Sequence, residues 1–538
     1  MARYDVVVIG SGAGGAPVAA TLARAGAKVL IVEKGKRYTR DDFDRDEIEW
    51  CRRDRFVPNP TDDPHTRRND QGQVARPTTD GWISTVVGGG TVHMGAYMMR
   101  ADPMDATLAT RLGKDSGSTA IDWAVPFADV AAHYADAERA LGVSGSDEKG
   151  APPPLASHSI SALVDDAARA IGLPVRATPR GILTEARPDD DRKACAYRQL
   201  CASYGCPNDA KASMVATYLR NAERAGAELW SESMATSIER GDDGLARAVH
   251  VIRRGGERAR VECGSVVVAC GAIESARLLL LSGEGLNPGG NVGKHLWFSL
   301  FVEATGFLAA TAHGERFKDL MHGSPFLNRT VNLGGHLDAL RQKETGVDRA
   351  GTLQVGFVHD NPIHRAERVA TESGLLFGRA LKEALHRAFV DGRQIVVECF
   401  GESVPHTGAG IDLDPKVKDR LGLPAARITH FHHPRDSKVA TSLQKDAVAL
   451  LEKMGAVDVR VTRRLSETMV LQGGTCRFGD DPQTSVIDRE GRVHTCKNVY
   501  VTDGGALPSS TTVPITLTIV ANALRVAAIM AKGHAEKK

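Results

Sequence analysis

Tyr4–Lys34 reads YDVVVIGSGAGGAPVAATLARAGAKVLIVEK, and the fold of the chain follows from how this stretch is read. Val6 to Ile9 are apolar and β-branched, which suits a parallel strand buried on both faces. Gly10, Gly12 and Gly15 follow in G-x-G-x-x-G spacing, with Gly14 beside the last. Gly10 permits a tight turn, Gly12 lets the main chain approach a pyrophosphate with no Cβ in the way, and Gly15 lets the next helix pack closely on the strand. That helix is predicted over about 16–25, with Pro17 in its first turn and Gly26 as its stop. Free N–H groups and the positive end of its dipole then bind phosphate. A second apolar strand, 28–32, ends in Glu33, which can accept hydrogen bonds from both ribose hydroxyls. Glycine turns are common, but strand, glycines, helix, strand and terminal acid in this order predict a dinucleotide site rather than a purely structural turn. The charge of Glu33 would repel a 2′-phosphate, so the ligand is FAD or NAD, not NADP.

With 538 residues the chain exceeds a single ordinary domain, and two are expected. Lys plus Arg (68) nearly balances Asp plus Glu (66), so no nucleic-acid surface is indicated. No apolar run approaches the length of a membrane span, and the first strand begins too early for a signal peptide, so a soluble cytoplasmic protein is expected. Nine scattered cysteines fit a reducing compartment better than a disulfide framework.

Residues 54–80 are polar, Pro-rich and aperiodic, which predicts a long loop acting as a lid or an oligomer contact, or plain surface disorder. The segment 86–100, VVGGGTVHMGAYMMR, is a second place where backbone passes close to something. A turn and an amphipathic helix are read over 122–143, a helix over about 215–225, and a strand-turn-helix unit from Val266 through CGAIESARLLLLSG. Strands are read at 394–399 and 427–431, and helices at 377–389 and 437–453. Near the end, a strand over 498–502 leads into Asp503-Gly504, and a long amphipathic helix begins near Thr516.

These motifs, with VGGG at 87–90, GAGIDLDP, KDRLGLP and the closing TCRFGDDPQTSVIDREGRVHTCKNVYVTDGG…LTI run, resemble the glucose-methanol-choline family of FAD-dependent oxidoreductases over almost the whole chain. The cysteine segment with Ala210, Lys211 and Ser213 is more similar to bacterial sugar and long-chain alcohol dehydrogenases than to fungal glucose oxidase. The resemblance implies an α/β fold: a discontinuous Rossmann-like FAD-binding domain (1–105, 205–300, 465–538) and a substrate domain (106–204, 301–464) whose mostly antiparallel sheet is covered by helices. It implies oxidation of a small-molecule alcohol or sugar hydroxyl by hydride transfer to flavin N5, with electrons passing to oxygen or another external acceptor. Gly10, Gly12, Gly14, Gly15, Glu33, Gly89, His93, Asp503 and Thr516 are the expected FAD contacts. A helix N-terminus after Val513 would favour negative charge on reduced flavin.

The chain departs from the family where the base belongs. The usual His of H-x-x-G-T-C-R-x-G falls at Leu471, and the usual His or Asn before L-T-I falls at Pro514. Neither can take a proton. Three accounts compete: a base from elsewhere, flavin chemistry such as electron transfer, alkene reduction or lyase-like work, or a catalytically weak FAD-binding subunit. For the first, the histidines of 430–433 are the richest source; read as a strand they place His430 and His432 on one face and His433 on the other. His432 is chosen, with His433 second. His93 falls where some relatives bond flavin covalently and others only contact it. Cys195, Cys201 and Cys206 resemble an iron-sulfur loop of some bacterial glucose dehydrogenase subunits, but reduced structural thiols are favoured, with zinc a weaker alternative.

Overall fold

The computed structural model describes residues 3–44, 46–50, 55–81, 83–113, 117–197, 201, 203–313, 326–358, 362–371, 374–463, 465 and 469–536. The strand Tyr4–Ile9 is flanked by two parallel neighbours, Val29–Val32 and Arg258–Val268, with Val8 opposite both Ile31 and Val267. Residues 6–9, 29–32 and 266–268, the apolar runs that lie side by side in these three strands, are all buried, as a sheet covered on both faces requires. Cys496–Val501 and Glu228–Trp230 extend the parallel sheet on its two sides, and Met234–Arg240 and Ala246–Ile252 join Arg258–Val268 as an antiparallel extension. The helix Ala16–Arg24 covers the sheet and packs against Tyr218–Arg224 and Thr516–Ala535. That last helix is long and apolar enough to cross a membrane by length and composition alone, but it lies against Ala16–Arg24 and Tyr134–Leu141 as a core element.

A second sheet is antiparallel throughout: Val457–Arg463, Trp297–Ala309, Gly392–Gly401, Gly351–Phe357, Arg329–Val331 and Val175–Ala177 in that order, with Val470–Gly473 paired to the start of Trp297–Ala309. The helix Pro434–Lys453 covers one face, burying Val439, Leu443 and Leu450 against Val302, Val397 and Cys399. Strand alternation turns Phe301, Val396, Glu398 and Phe400 to the opposite face. A third, four-stranded sheet pairs Gly410–Lys418 and Pro424–Thr429 with His65–Arg68 and Arg76–Thr78.

The third sheet corrects the reading of 54–80 as a structureless loop. The short strand His65–Arg68 is fixed by parallel pairing to Pro424–Thr429, a partner more than 300 positions away that local periodicity cannot reveal, and Arg76–Thr78 pairs antiparallel with His65–Arg68. The strand read at 427–431 is corrected too. It ends at Thr429, and His433 is the N-cap of the helix Pro434–Lys453, with Pro434 at its first position, so strand alternation does not govern 430–433. The helix read over 122–143 is two short ones, Phe127–Ala131 and Tyr134–Leu141.

Candidate active site

A cavity of about 460 Å³ is walled on one side by the Gly10–Gly14 turn, Glu33 and the start of Thr516–Ala535, and on the other by the uncovered face of the antiparallel sheet. The glycines meet the demands read from their spacing. Gly10 has φ +99°, and a Cβ on Gly15 would fall 2.0 Å from the Gly10 carbonyl oxygen, so only glycine lets this helix sit so close to the strand. Gly12 has room instead: its nearest neighbour across the turn is Gly89 Cα, 3.7 Å from where its Cβ would be. The two turns form a backbone cradle that side chains would fill. Thr502 Oγ1 closes the turn from beneath by donating to the Gly14 carbonyl at 2.9 Å, and a Cβ on Gly14 would fall 2.8 Å from Asp503 Cα.

Glu33 Oε2 accepts from the backbone N–H and hydroxyl of Ser11 at 3.1 and 2.8 Å, and Oε1 accepts from Gly35 N at 2.8 Å. Burial pushes its carboxyl upward against these bonds. Asp503 is likewise raised by burial and is held by Gly505 N, Gly271 N and the Ser275 hydroxyl. Beyond Glu33, Lys34 bonds Asp63 and Glu274, Arg277 reaches Asp63 and Asp419, and His65 Nε2 lies 2.7 Å from Glu274 Oε1. Burial works against the Glu274 charge, yet Lys34, Arg277 and His65 hold its carboxyl well below the usual range. Asp63, His65 and Glu274 are the only trio among the described residues whose ligating atoms lie within 4.8 Å of one another, and Lys34 and the buried Arg277 already balance it.

At the sheet end, the Tyr97 hydroxyl donates to Glu398 Oε2 at 2.6 Å, and both residues line the cavity. The Arg180 guanidinium lies 4.0 Å from the centre of the Tyr97 ring and donates to the Gly95 carbonyl at 2.6 Å. Phe301, Phe400 and Val470 form an apolar cluster against which Tyr97 and Leu471 pack. Leu471 has φ +54°, a left-handed conformation unusual for a leucine, and lines the cavity with Pro514.

The structure brings Gly10, Gly12, Gly14, Glu33, Gly89, His93, Asp503 and Thr516 together around this one cavity, while Gly15 works behind it in helix packing. His93 Nε2 lies 2.9 Å from Ser84 Oγ, and its ring stacks on Phe56 at 5.3 Å. His432 and His433 are not brought in. They line no part of the cavity: His433 caps a helix, and His432 Nδ1 lies 3.5 Å from Asp436 Oδ2 while its ring meets His430. Of the three cysteines, Cys201 lines the cavity, with burial pushing its thiol up to about 12. Cys195 is raised by the same cause, and the three sulfurs are not gathered within ligand distance. Buried Lys211, pushed down to about 8, donates to the carbonyls of Met94, Cys201 and Tyr204 and so braces this loop.

Models of the GMC oxidoreductase family match residues 76–300 and 405–523, and an FAD binding domain matches 5–40. The chain belongs to the GMC oxidoreductase family. Over 98% of its length it is 31% identical to paromamine 6'-oxidase of Streptomyces fradiae, covering 91% of that protein. It is also 31% identical, over 97% of its length, to 6'''-hydroxyparomomycin C oxidase of Streptomyces lividus, covering 90% of it. A variant of formate oxidase from Aspergillus oryzae shares the fold, with a TM-score of 0.65 over 99% of both chains at 14% identity. This GMC oxidoreductase is therefore an FAD-dependent enzyme acting on CH–OH groups of alcohols or sugars. The residues that sequence reading missed are Tyr97, Arg180 and Glu398. Their signal was an acid between Val396 and Phe400 within the otherwise apolar run 395–400, and a tyrosine four positions after His93.

Proposed function

We propose that this GMC oxidoreductase oxidises a hydroxyl of an amino-sugar-like small molecule and passes the electrons to oxygen. The observation that carries the proposal is a single cavity that joins the Gly12–Gly89 cradle and Glu33 to the sheet face bearing Tyr97 and Glu398. Gly12, Gly89, Glu33, Asp503, His93 and the first turn at Thr516 would hold FAD: an acid for ribose hydroxyls, a Cβ-free cradle for pyrophosphate and a helix N-terminus for negative charge. Bound there, the flavin supplies the acceptor for the hydride that leaves the carbinol carbon. Phe301, Val396, Phe400, Val470 and Leu471 make the substrate side apolar and exclude water. Leu471 and Pro514 stand where the family's usual proton-accepting pair would be, so the hydroxyl proton leaves by another route.

The amino-sugar class and the oxygen acceptor are supported by two relatives named as oxidases of paromamine and 6'''-hydroxyparomomycin C. The test is anaerobic mixing of the holoenzyme with paromamine, glucosamine and simple primary alcohols. The expected result is flavin bleaching by the amino sugars ahead of the simple alcohols, with hydrogen peroxide formed on admitting air. No bleaching by any of them, alongside normal reduction by dithionite, would favour an FAD-binding subunit that turns nothing over.

A further inference from the structure

We infer that Glu398 is the residue that takes the alcohol's proton, held in place for that role by Tyr97. The inference rests on the alcohol-oxidising reading above and names the group that stands in for the missing histidine.

Leu471 packs with Tyr97 against the Phe301, Phe400 and Val470 cluster, so the place of the family base is walled by apolar groups. The polar atom reaching out of that cluster is the Tyr97 hydroxyl, and it ends on Glu398. Tyr97 is fixed from both sides, by the Arg180 guanidinium over its ring and by Phe400 edge-on at 5.8 Å. Burial and the adjacent Glu398 charge raise its hydroxyl well beyond the ordinary range, so Tyr97 stays protonated and donates. Glu398 is therefore the acceptor of the pair. Its Oε2 receives the Tyr97 bond, and no bond among the described residues takes Oε1. The half-buried side chain stands in the cavity wall between Val396 and Phe400, on the sheet face opposite the helix Pro434–Lys453.

The other titratable groups lining the cavity are committed elsewhere. His93 is bonded to Ser84 and stacked on Phe56, burial raises the thiols of Cys201 and Cys270, Arg180 lies over the Tyr97 ring, and Glu33, Lys34, Glu274, Arg277 and Asp503 belong to the dinucleotide end. Glu398 is the one carboxylate on the sheet side of the cavity among the described residues. In the step, the substrate O–H bond breaks and its proton forms a new O–H bond on Glu398. The C–H bond of the same carbinol breaks as the C=O bond forms, its electron pair leaving as a hydride for which bound FAD would supply the acceptor. Water later takes the proton from Glu398.

The test measures flavin reduction by paromamine in anaerobic stopped flow, using holoenzyme. Glu398→Gln should slow the limiting rate by about 10² or more, with FAD content and dithionite reduction unchanged, and Glu398→Asp should recover part of the loss. Tyr97→Phe should lower the limiting rate while leaving the half-saturating paromamine concentration unchanged. The double variant should be no slower than Glu398→Gln alone, because the two act as a unit. Independently of rate, the infrared difference spectrum of a single reductive turnover should show a protonated-carboxyl band that Glu398→Gln lacks. Wild-type speed in Glu398→Gln, a defect confined to half-saturation, or absence of that band in the wild type would overturn the assignment. A wild-type flavin that paromamine, glucosamine and primary alcohols all fail to bleach overturns the functional reading itself and is distinct from these results.

Discussion

Gly12 and Gly89 meet backbone to backbone: a Cβ added to Gly89 would lie 3.1 Å from Gly12 Cα, and Gly89 sits at φ +58°. Two glycine-rich turns nearly eighty positions apart thus form one cradle. Gly12→Ala should leave the fold intact, since its backbone is ordinary and its Cβ would meet nothing nearer than 3.7 Å, but should weaken FAD retention by obstructing the pyrophosphate. Gly15→Ala should do the reverse and cripple folding, because its Cβ would strike the Gly10 carbonyl. Thermal melts of the apoproteins and FAD titration by fluorescence quenching separate the two effects.

His433→Ala should cost about 1 kcal/mol of stability through loss of a helix cap and leave the rate of flavin reduction unchanged. The side chain of His433 accepts from Arg435 N at 3.3 Å, and Asp436 returns a contact to the His433 backbone. Chemical denaturation measures the first effect and anaerobic stopped flow the second.

Stability should fall on acidification below the ordinary histidine range. Burial, then the neighbouring His432, His406 and Arg67, keep folded His430 neutral far below pH 6.5, and burial with Arg477 and Lys294 pushes His295 down to about 3. The unfolded chain binds these protons near the ordinary imidazole value of 6.5 and the folded chain does not, so stability is fully present above that pH and is lost as pH drops toward the folded values. Each such histidine contributes a slope of about 1.4 kcal/mol per pH unit in that window. Denaturant midpoints of wild type and His430→Gln between pH 7 and 4 should diverge from parallel, with the variant the flatter.

Acid precipitation of the holoenzyme should leave the yellow colour in the supernatant. His93 lines the cavity, but its Nε2 is engaged by Ser84 and its ring is clamped on Phe56, an arrangement suited to contact with the flavin rather than a bond to it. Colour retained in the pellet would show the covalent link.

The parallel sheet and its ligand end were legible because each residue of Tyr4–Lys34 answers to a local rule: burial on both faces, a turn without Cβ, a helix start, a terminal acid. Residues 65–78 were not, because their pairing partner comes from 424–429 and nothing local records it. The histidines of 430–433 misled for a related reason. A strand was extended past Thr429, although His433-Pro434 with Asp436 three positions after the cap is a helix start. Glu398 was passed over inside GRQIVVECFG, where its importance depends on which sheet face is left uncovered. That is a property of packing and not of the strand.

The bond from Thr502 Oγ1 to the Gly14 carbonyl joins residues 488 positions apart. The turn at residues 10–15 is therefore completed by a segment far along the chain, and Asp503 and Thr516 reach the cavity from the same stretch. A nascent or truncated chain ending before residue 502 has the fingerprint of a flavoprotein but an open-floored cradle. Cofactor retention thereby depends on closure between these two distant segments, which makes yellow colour a report of long-range folding and not of the fingerprint alone.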